Sequence, residues 1–248
     1  MTDTKATSPS PGVLYGIGVG PGDPELIPVK SVRLLQTVDV IFTASSSKNQ
    51  YSMAVRVAGD FIPEGADVRL LPFPMTMDQE IVRKAWQEHA DHVVQELNTG
   101  RNAAFLTLGD PLTYSTFGYL LRIILKDAPH IRVETIPGIT SYQAAAAATN
   151  TPLVEGEENL LLLSGVNGGG RFRQMADLSD NVVFLKAYKN MPDIARTLAE
   201  TGRLGCSLGV VRCGLPDQKI YRDLNELSRS EPRYWTLIIS KNKPIHED

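Results

Sequence analysis

The chain has 248 residues, 42% of them hydrophobic and 21% charged, with a formal net charge of −3. This is enough apolar material for one large core or two smaller ones, and the charge gives no global attraction to nucleic acid or an anionic membrane. No apolar run approaches the ~20 residues that a membrane span needs.

In chain order, residues 1–11 are rich in Ser, Thr and Pro, lack the layout of a signal peptide, and are expected to form a flexible tail. VLYGIGV (13–19), VDVIFTA (38–44), DVRLLPF (67–73), NAAFLTLGD (102–110) and IRVETIPG (131–138) read as strands. Several are apolar on both faces, as buried parallel strands are. Asp23 and Pro24 open a short helical turn, Pro28 interrupts it, and a second helix is expected from Val29. Val82, Trp86, Ala90, Val93 and Leu97 recur at helical spacing, closed by Asn98 to Gly100. Strands alternating with helices predict a parallel α/β domain over 12–137.

The second half has a different texture. The Ala-rich helix around YQAAAAAT leads into strands NLLLLSG (159–165), NVVFLKAY (181–188), LGCSLGVVRC (204–213) and WTLIIS (235–240), with KIYRDL (219–224) as a further candidate. Short connections between the last strands predict antiparallel pairs, hence a mixed sheet in a second α/β domain over 138–248. Two such domains would carry the active-site cleft between them. Cys206 and Cys213, the two cysteines, fit neither a disulfide framework nor a zinc site, which suits a reducing cytoplasm. No metal site is expected: His89 and His92 are three apart on a helix but have no third ligand near in sequence.

Residues 16–26, GIGVGPGDPEL, place a glycine at every second position from Gly16 to Gly22. A dinucleotide fingerprint would need its third glycine at Pro21 or Asp23, and an acidic residue after the second strand, where Thr43-Ala44-Ser45-Ser46 stands. A Walker A lysine is absent too. Alternating glycines by themselves are explained by a helix packing close to the strand. Three further stretches change the balance. LTLGDPLTYST (106–116) ends a strand in Gly-Asp-Pro and adds hydroxyls. ETIPGITSYQAAAA (134–147) ends another in Pro-Gly ahead of a helix. VVRCGLPDQKIY (210–221) runs a late strand into a turn. In open parallel sheets, ligands bind outside such carboxyl ends.

Together with GVGPGDPELIPVKSV, these stretches resemble the tetrapyrrole methylase family of S-adenosylmethionine-dependent methyltransferases, over about Val13 to Ser240. Within it, SSSKNQYSMAVRVA (45–58) and LLPFPMTMD (70–78) look like the members that methylate C20 of precorrin-2, or of its cobalt-containing counterpart, in cobalamin biosynthesis. The resemblance implies a homodimer with S-adenosylmethionine as cofactor and a small-molecule tetrapyrrole as substrate. It implies cofactor contacts at Pro21, Leu108, Gly109, Asp110, Thr113, Thr140, Ser141, Lys186 and Gly214. Lys186 departs from the apolar residue usual there; a lysine repels a sulfonium, so its side chain is expected to turn toward substrate carboxylates. On this reading the glycines keep the floor of the cleft clear for a flat macrocycle.

The implied reaction is attack of an electron-rich bridge carbon on the sulfonium methyl, followed by loss of the C20 proton. Asp110 and Tyr114 are the catalytic candidates by position, although an unperturbed phenol, with pKa ≈ 10, makes a poor base. A polycarboxylate substrate calls for cations, so Lys48 and Arg56 are candidate substrate contacts with Thr76, and Met75 and Met77 are candidate apolar lining. A relative acting on RNA or on a protein, and a non-enzymatic tetrapyrrole carrier, are the rival expectations. The acidic balance disfavours RNA.

Overall fold

The computed structural model describes residues 9–46, 52–74, 76 and 78–245. The chain divides into two compact units after Ile139.

In the first unit, β1 (Val13–Gly18) leads through a 3-10 turn (Pro24–Leu26) into α1 (Val29–Leu35). Asp23 caps that turn by accepting from the Glu25 amide, and Pro28 sits just before α1, where its missing N–H costs nothing. Then come β2 (Val40–Ser46), α2 (Met53–Ala58), β3 (Val68–Phe73), α3 (Gln79–Asn98), β4 (Ala103–Thr107), α4 (Phe117–Asp127) and β5 (Arg132–Ile136). All strand pairs are parallel, in the order β3-β2-β4-β1-β5. Phe42, Phe105 and Phe117 are fully buried at the centre of the core, with Leu14, Leu97 and Leu120 around them.

β1 connects toward β2 on one side, whereas β4 connects past β1 to β5 on the other. The adjacent carboxyl ends of β1 and β4 are therefore a topological switch point, where the diverging connections leave a crevice. At the opposite end an ion-pair network ties β3 to α3. Arg69 holds Asp67 through two bonds (3.0 and 2.8 Å) and Glu96 at 2.5 Å, while Arg101 reaches Asp67 at 2.9 Å and Glu96 at 2.7 Å. Both arginines hold Asp67 well below the usual carboxylate range, at about 2.

The second unit opens with α5 (Ser141–Thr149) and continues β6 (Leu160–Ser164), α6 (Gly170–Met175), β7 (Asn181–Leu185), α7 (Met191–Glu200), β8 (Ser207–Val211), β9 (Lys219–Tyr221), α8 (Leu224–Arg229) and β10 (Thr236–Ser240). The sheet order is β6-β7-β10-β8-β9; β6 and β7 are parallel, and β10 is antiparallel to β7 and β8. The mixed sheet expected from the short late connections is present, and KIY (219–221) supplies its edge strand. Phe172, Phe184, Ile194, Leu198 and Ile238 fill its core.

Candidate active site

The first unit builds its candidate site from backbone. The Gly20 carbonyl accepts from the Gly109 amide at 2.6 Å, and the Gly109 carbonyl accepts from the Gly20 amide at 3.3 Å. This two-bond bridge fastens the loop after β1 to the loop after β4, at the switch point. Gly109 turns through φ +74°, which an L side chain rarely adopts. The early glycines mostly make room for protein. A side chain at Gly16 would strike the Phe117 ring, and one at Gly18 would lie 2.6 Å from both the Gly109 carbonyl oxygen and the Gly138 amide. Helix and loop packing thus accounts for Gly16 and Gly18, in place of a floor kept clear for a macrocycle.

Asp110 locks the same loops together. Its Oδ1 accepts from the Leu112 amide at 2.9 Å and from the Thr113 hydroxyl at 3.1 Å, and its Oδ2 accepts from the Gly138 amide at 3.2 Å. One carboxylate therefore joins the Gly-Asp-Pro turn to the Pro-Gly turn after β5, an arrangement that sequence spacing alone does not reveal. Beside it, Thr107 and Ser115 share a hydroxyl contact at 3.1 Å, and Ser115 also accepts from the Phe117 amide. Tyr114 is exposed, with φ +51°. Pro21, buried next to the bridge, Leu108, Gly109, Asp110, Thr113 and Tyr114 are thus gathered at one place in this unit.

Arg56 is exposed in the last turn of α2, and Thr76, also exposed, accepts from the Asp78 amide ahead of α3. Their elements follow β2 and β3, further along the carboxyl edge of the same sheet. Lys48, Met75 and Met77 lie outside the described residues. His89 bonds the Pro72 carbonyl at 2.9 Å and His92 contacts Arg69 at 3.3 Å, so both are engaged in packing α3 onto the sheet.

In the second unit, Thr140 caps α5. Its hydroxyl accepts from the Gln143 amide while the Gln143 side chain accepts from the Thr140 amide, a capping box that occupies the Thr140 side chain. Ser141 is the first helical residue behind it. Lys186 follows β7 and Gly214 follows β8. These strands run in the same direction, each being antiparallel to β10, so both residues lie at one edge of this sheet. Lys186 has φ +57°, and burial around its amine lowers the pKa below that of an ordinary lysine. Arg212 beside Gly214 has φ +54°. Tyr114, Lys186 and Arg212 are thus non-glycine residues in the left-handed region; Lys186 and Arg212 directly follow a strand's carboxyl end and Tyr114 lies in the loop after β4, and strain collects at functional positions.

A family model for the tetrapyrrole (corrin/porphyrin) methylases matches residues 13–227. The chain is 32% identical over 232 residues to the cobalt-precorrin-2 C(20)-methyltransferase of Salmonella typhimurium, covering 93% of this chain and 97% of that protein. It is also 32% identical over 238 residues to the precorrin-2 C(20)-methyltransferase of a Sinorhizobium species, covering 92% and 94% respectively. Among solved structures, uroporphyrin-III C-methyltransferase of Thermus thermophilus, complexed with S-adenosyl homocysteine, is similar with a TM-score of 0.67. The identity is 25%, and the match covers 93% of this chain and 97% of that one. A cobalt-precorrin-4 methyltransferase shares the fold, with a TM-score of 0.72 at 24% identity over 92% and 94% of the two chains. With its family motifs standing at the strand ends of both sheets, the chain belongs to the tetrapyrrole methylase family.

Proposed function

We propose that this chain transfers a methyl group from S-adenosylmethionine to C20 of precorrin-2, or of its cobalt-containing counterpart, in cobalamin biosynthesis. The observation that carries the reading is the Gly20–Gly109 bridge with the Asp110 clamp, a preformed loop cluster at the switch point of a parallel sheet. The donor set fits S-adenosylmethionine. In the first unit it consists of backbone groups, the Thr113 hydroxyl and one carboxylate, with none of the lysine-bearing phosphate loop that a nucleotide triphosphate would need. Space is open on the Gly109 side as well: a side chain there would meet nothing nearer than the Ile139 carbonyl oxygen at 3.9 Å. When bound, S-adenosylmethionine supplies an electrophilic methyl group on a sulfonium.

The residues hold and orient more than they react. Asp110 already accepts three hydrogen bonds from its own loops, so its contribution is to fix Gly109, Thr113 and Gly138 in position. Fixing the donor and the acceptor carbon in line can supply about 7–11 kcal/mol of the barrier reduction. A carboxylate paired tightly with the sulfonium would favour the ground state instead. Tyr114, exposed at the end of the same loop, is the candidate to hydrogen-bond the water that takes the C20 proton. Arg56, Thr76 and Lys48 are proposed as substrate contacts, and Pro21, Leu108, Gly109, Thr140, Lys186 and Gly214 as contacts to the methyl donor.

Two further features complete the proposal. The enzyme works as a homodimer, and it works in the cytoplasm, where Cys206 and Cys213 stay reduced; both are free thiols, and burial pushes Cys213 up to about 11. Among the described residues no helix is long and apolar enough to cross a membrane.

Anaerobic incubation with S-adenosylmethionine and either metal-free or cobalt-loaded precorrin-2, read by mass spectrometry, tests the reaction. A gain of one methyl on one of the two is expected. If neither gains a methyl while the donor still binds, the C20 assignment is wrong and another acceptor must be sought.

A further inference from the structure

Three loops meet at the edge of the second sheet where β7 and β8 end and β10 begins. The Arg212 amide donates to the Trp235 carbonyl at 2.7 Å, and the Ala187 amide donates to the Thr236 carbonyl at 3.0 Å. The loops after β7 and β8 are thereby stitched to the two sides of the entry into β10. Aromatic rings collect at this seam. Tyr188 and Tyr234 lie 5.2 Å apart between centroids, and Tyr234 meets Trp235 edge-on at 5.8 Å. Tyr234 is nevertheless 53% exposed.

Cations surround the rings. The Arg212 guanidinium lies 5.1 Å over Trp235, and the Lys189 amine lies 5.6 Å over Tyr188. Arg233 acts on Asp217 through space, Arg212 bonds that carboxylate at 2.6 Å, and Lys186 comes from the same loop as Lys189. Asp217 is thus set against Arg212 and Arg233, while Lys186 and Lys189 add two more cations from the loop after β7.

We infer that this seam is a platform for the acidic periphery of the macrocycle: Tyr188, Tyr234 and Trp235 meet the flat conjugated ring, and Lys189, Arg212 and Arg233 take its carboxylates. The inference rests on the proposed function and names the residues that select the substrate. S-adenosylmethionine does not suit these cations, because its sulfonium and ammonium outweigh its one carboxylate. A polycarboxylate ring suits both halves of the platform. It adds anions where cations already stack on aromatic faces, and each charged hydrogen bond gains from the partly desolvated surroundings. The left-handed backbone of Arg212 and Lys186 holds the cations at a fixed site, at a cost in strain that a purely structural turn would avoid with glycine.

Trp86 and Trp235 are the two tryptophans, so a Trp86→Phe background leaves Trp235 as the sole indole reporter. Uroporphyrin, a stable polycarboxylate ring, is the probe. Its titration should quench Trp235 emission, and added salt should weaken the binding. Lys189→Glu and Arg233→Glu alter exposed side chains, and each should raise the Kd by about tenfold, the range set by one charge-assisted hydrogen bond. Calorimetric affinity for S-adenosylmethionine and the melting temperature should stay unchanged in both variants. In the methylation assay the same variants should raise KM for the tetrapyrrole and leave kcat unchanged. Quenching that ignores both salt and charge reversal would overturn the anion platform, as would an unchanged KM in an enzyme that methylates the ring. Salt-sensitive quenching by a chain that methylates no tetrapyrrole would keep the platform and overturn the proposed reaction instead.

Discussion

The two sheets present their carboxyl ends in different materials. In the parallel unit the working edge is main chain: a two-bond glycine bridge, tight glycine packing and a carboxylate consumed by amides and a hydroxyl. In the mixed unit the working edge is side chain, with lysines, arginines and aromatic rings displayed there, Lys186 and Arg212 from left-handed backbone. A site made of backbone tolerates few residue types, because only glycine fits the close approaches. A site made of side chains can be redrawn one residue at a time.

The largest effect should come from Gly138→Ala, since the new methyl would collide with the Gly109 carbonyl and the Gly18 backbone. Overpacking there should cost about 3 kcal/mol, seen in chemical denaturation, and donor binding should fail in calorimetry. Asp110→Ala comes next, because it leaves the Leu112 and Gly138 amides without their partner. A loss of about 2 kcal/mol is expected, with Asp110→Asn falling between it and the parent. If Asp110→Ala binds donor normally, the backbone site does not depend on its clamp and the contrast between the units weakens.

Lys186→Gly sharpens the contrast in the opposite direction. Removing a side chain from the left-handed region should raise stability by up to about 1 kcal/mol while raising KM for the tetrapyrrole. A variant that loses stability would show that Lys186 is held there for packing.

The smallest effect concerns pH. Asp67 and Glu96 are both depressed by Arg69 and Arg101, so their contribution is fully present above the ordinary carboxylate range. It is lost as pH falls through the Asp67 value of about 2. Asp67→Asn should therefore flatten the acid limb of the stability curve. At pH 7 it should cost only about 1 kcal/mol, because the network is partly solvated.

Much of the framework was legible because its signals are local. Strand segments apolar on both faces lie in their sheets with small shifts at the ends, and the Asp23-Pro24 turn, the Pro28 interruption and the start of α1 at Val29 appear as expected. The helix through Val82 and Leu97 runs from Gln79 to Asn98, because Asp78 caps it by accepting from the Glu80 and Ile81 amides. α4 was not singled out, although Phe117, Leu120 and Ile124, its buried residues, recur at helical spacing. At the site, the glycine and Gly-Asp-Pro motifs stood out in the sequence, but the reason for Gly16 and Gly18 did not. Their neighbours Phe117 and Gly138 are about a hundred residues away in the chain, and only folding brings them close. The Tyr188, Tyr234 and Trp235 cluster was invisible for the same reason, being assembled from two loops that the sequence separates.

The paired amides of Gly20 and Gly109 bear on how the site meets its ligand. Loop amides at a sheet edge ordinarily exchange with solvent through local opening, but these two are tied to each other across the strand ends. Their deuterium uptake should resemble that of the strand interior, ligand absent or present. Loops tied to each other in this way have little conformational entropy left to lose when a ligand arrives, so encounter with the methyl donor should proceed in a single kinetic phase, with no slow closure behind it.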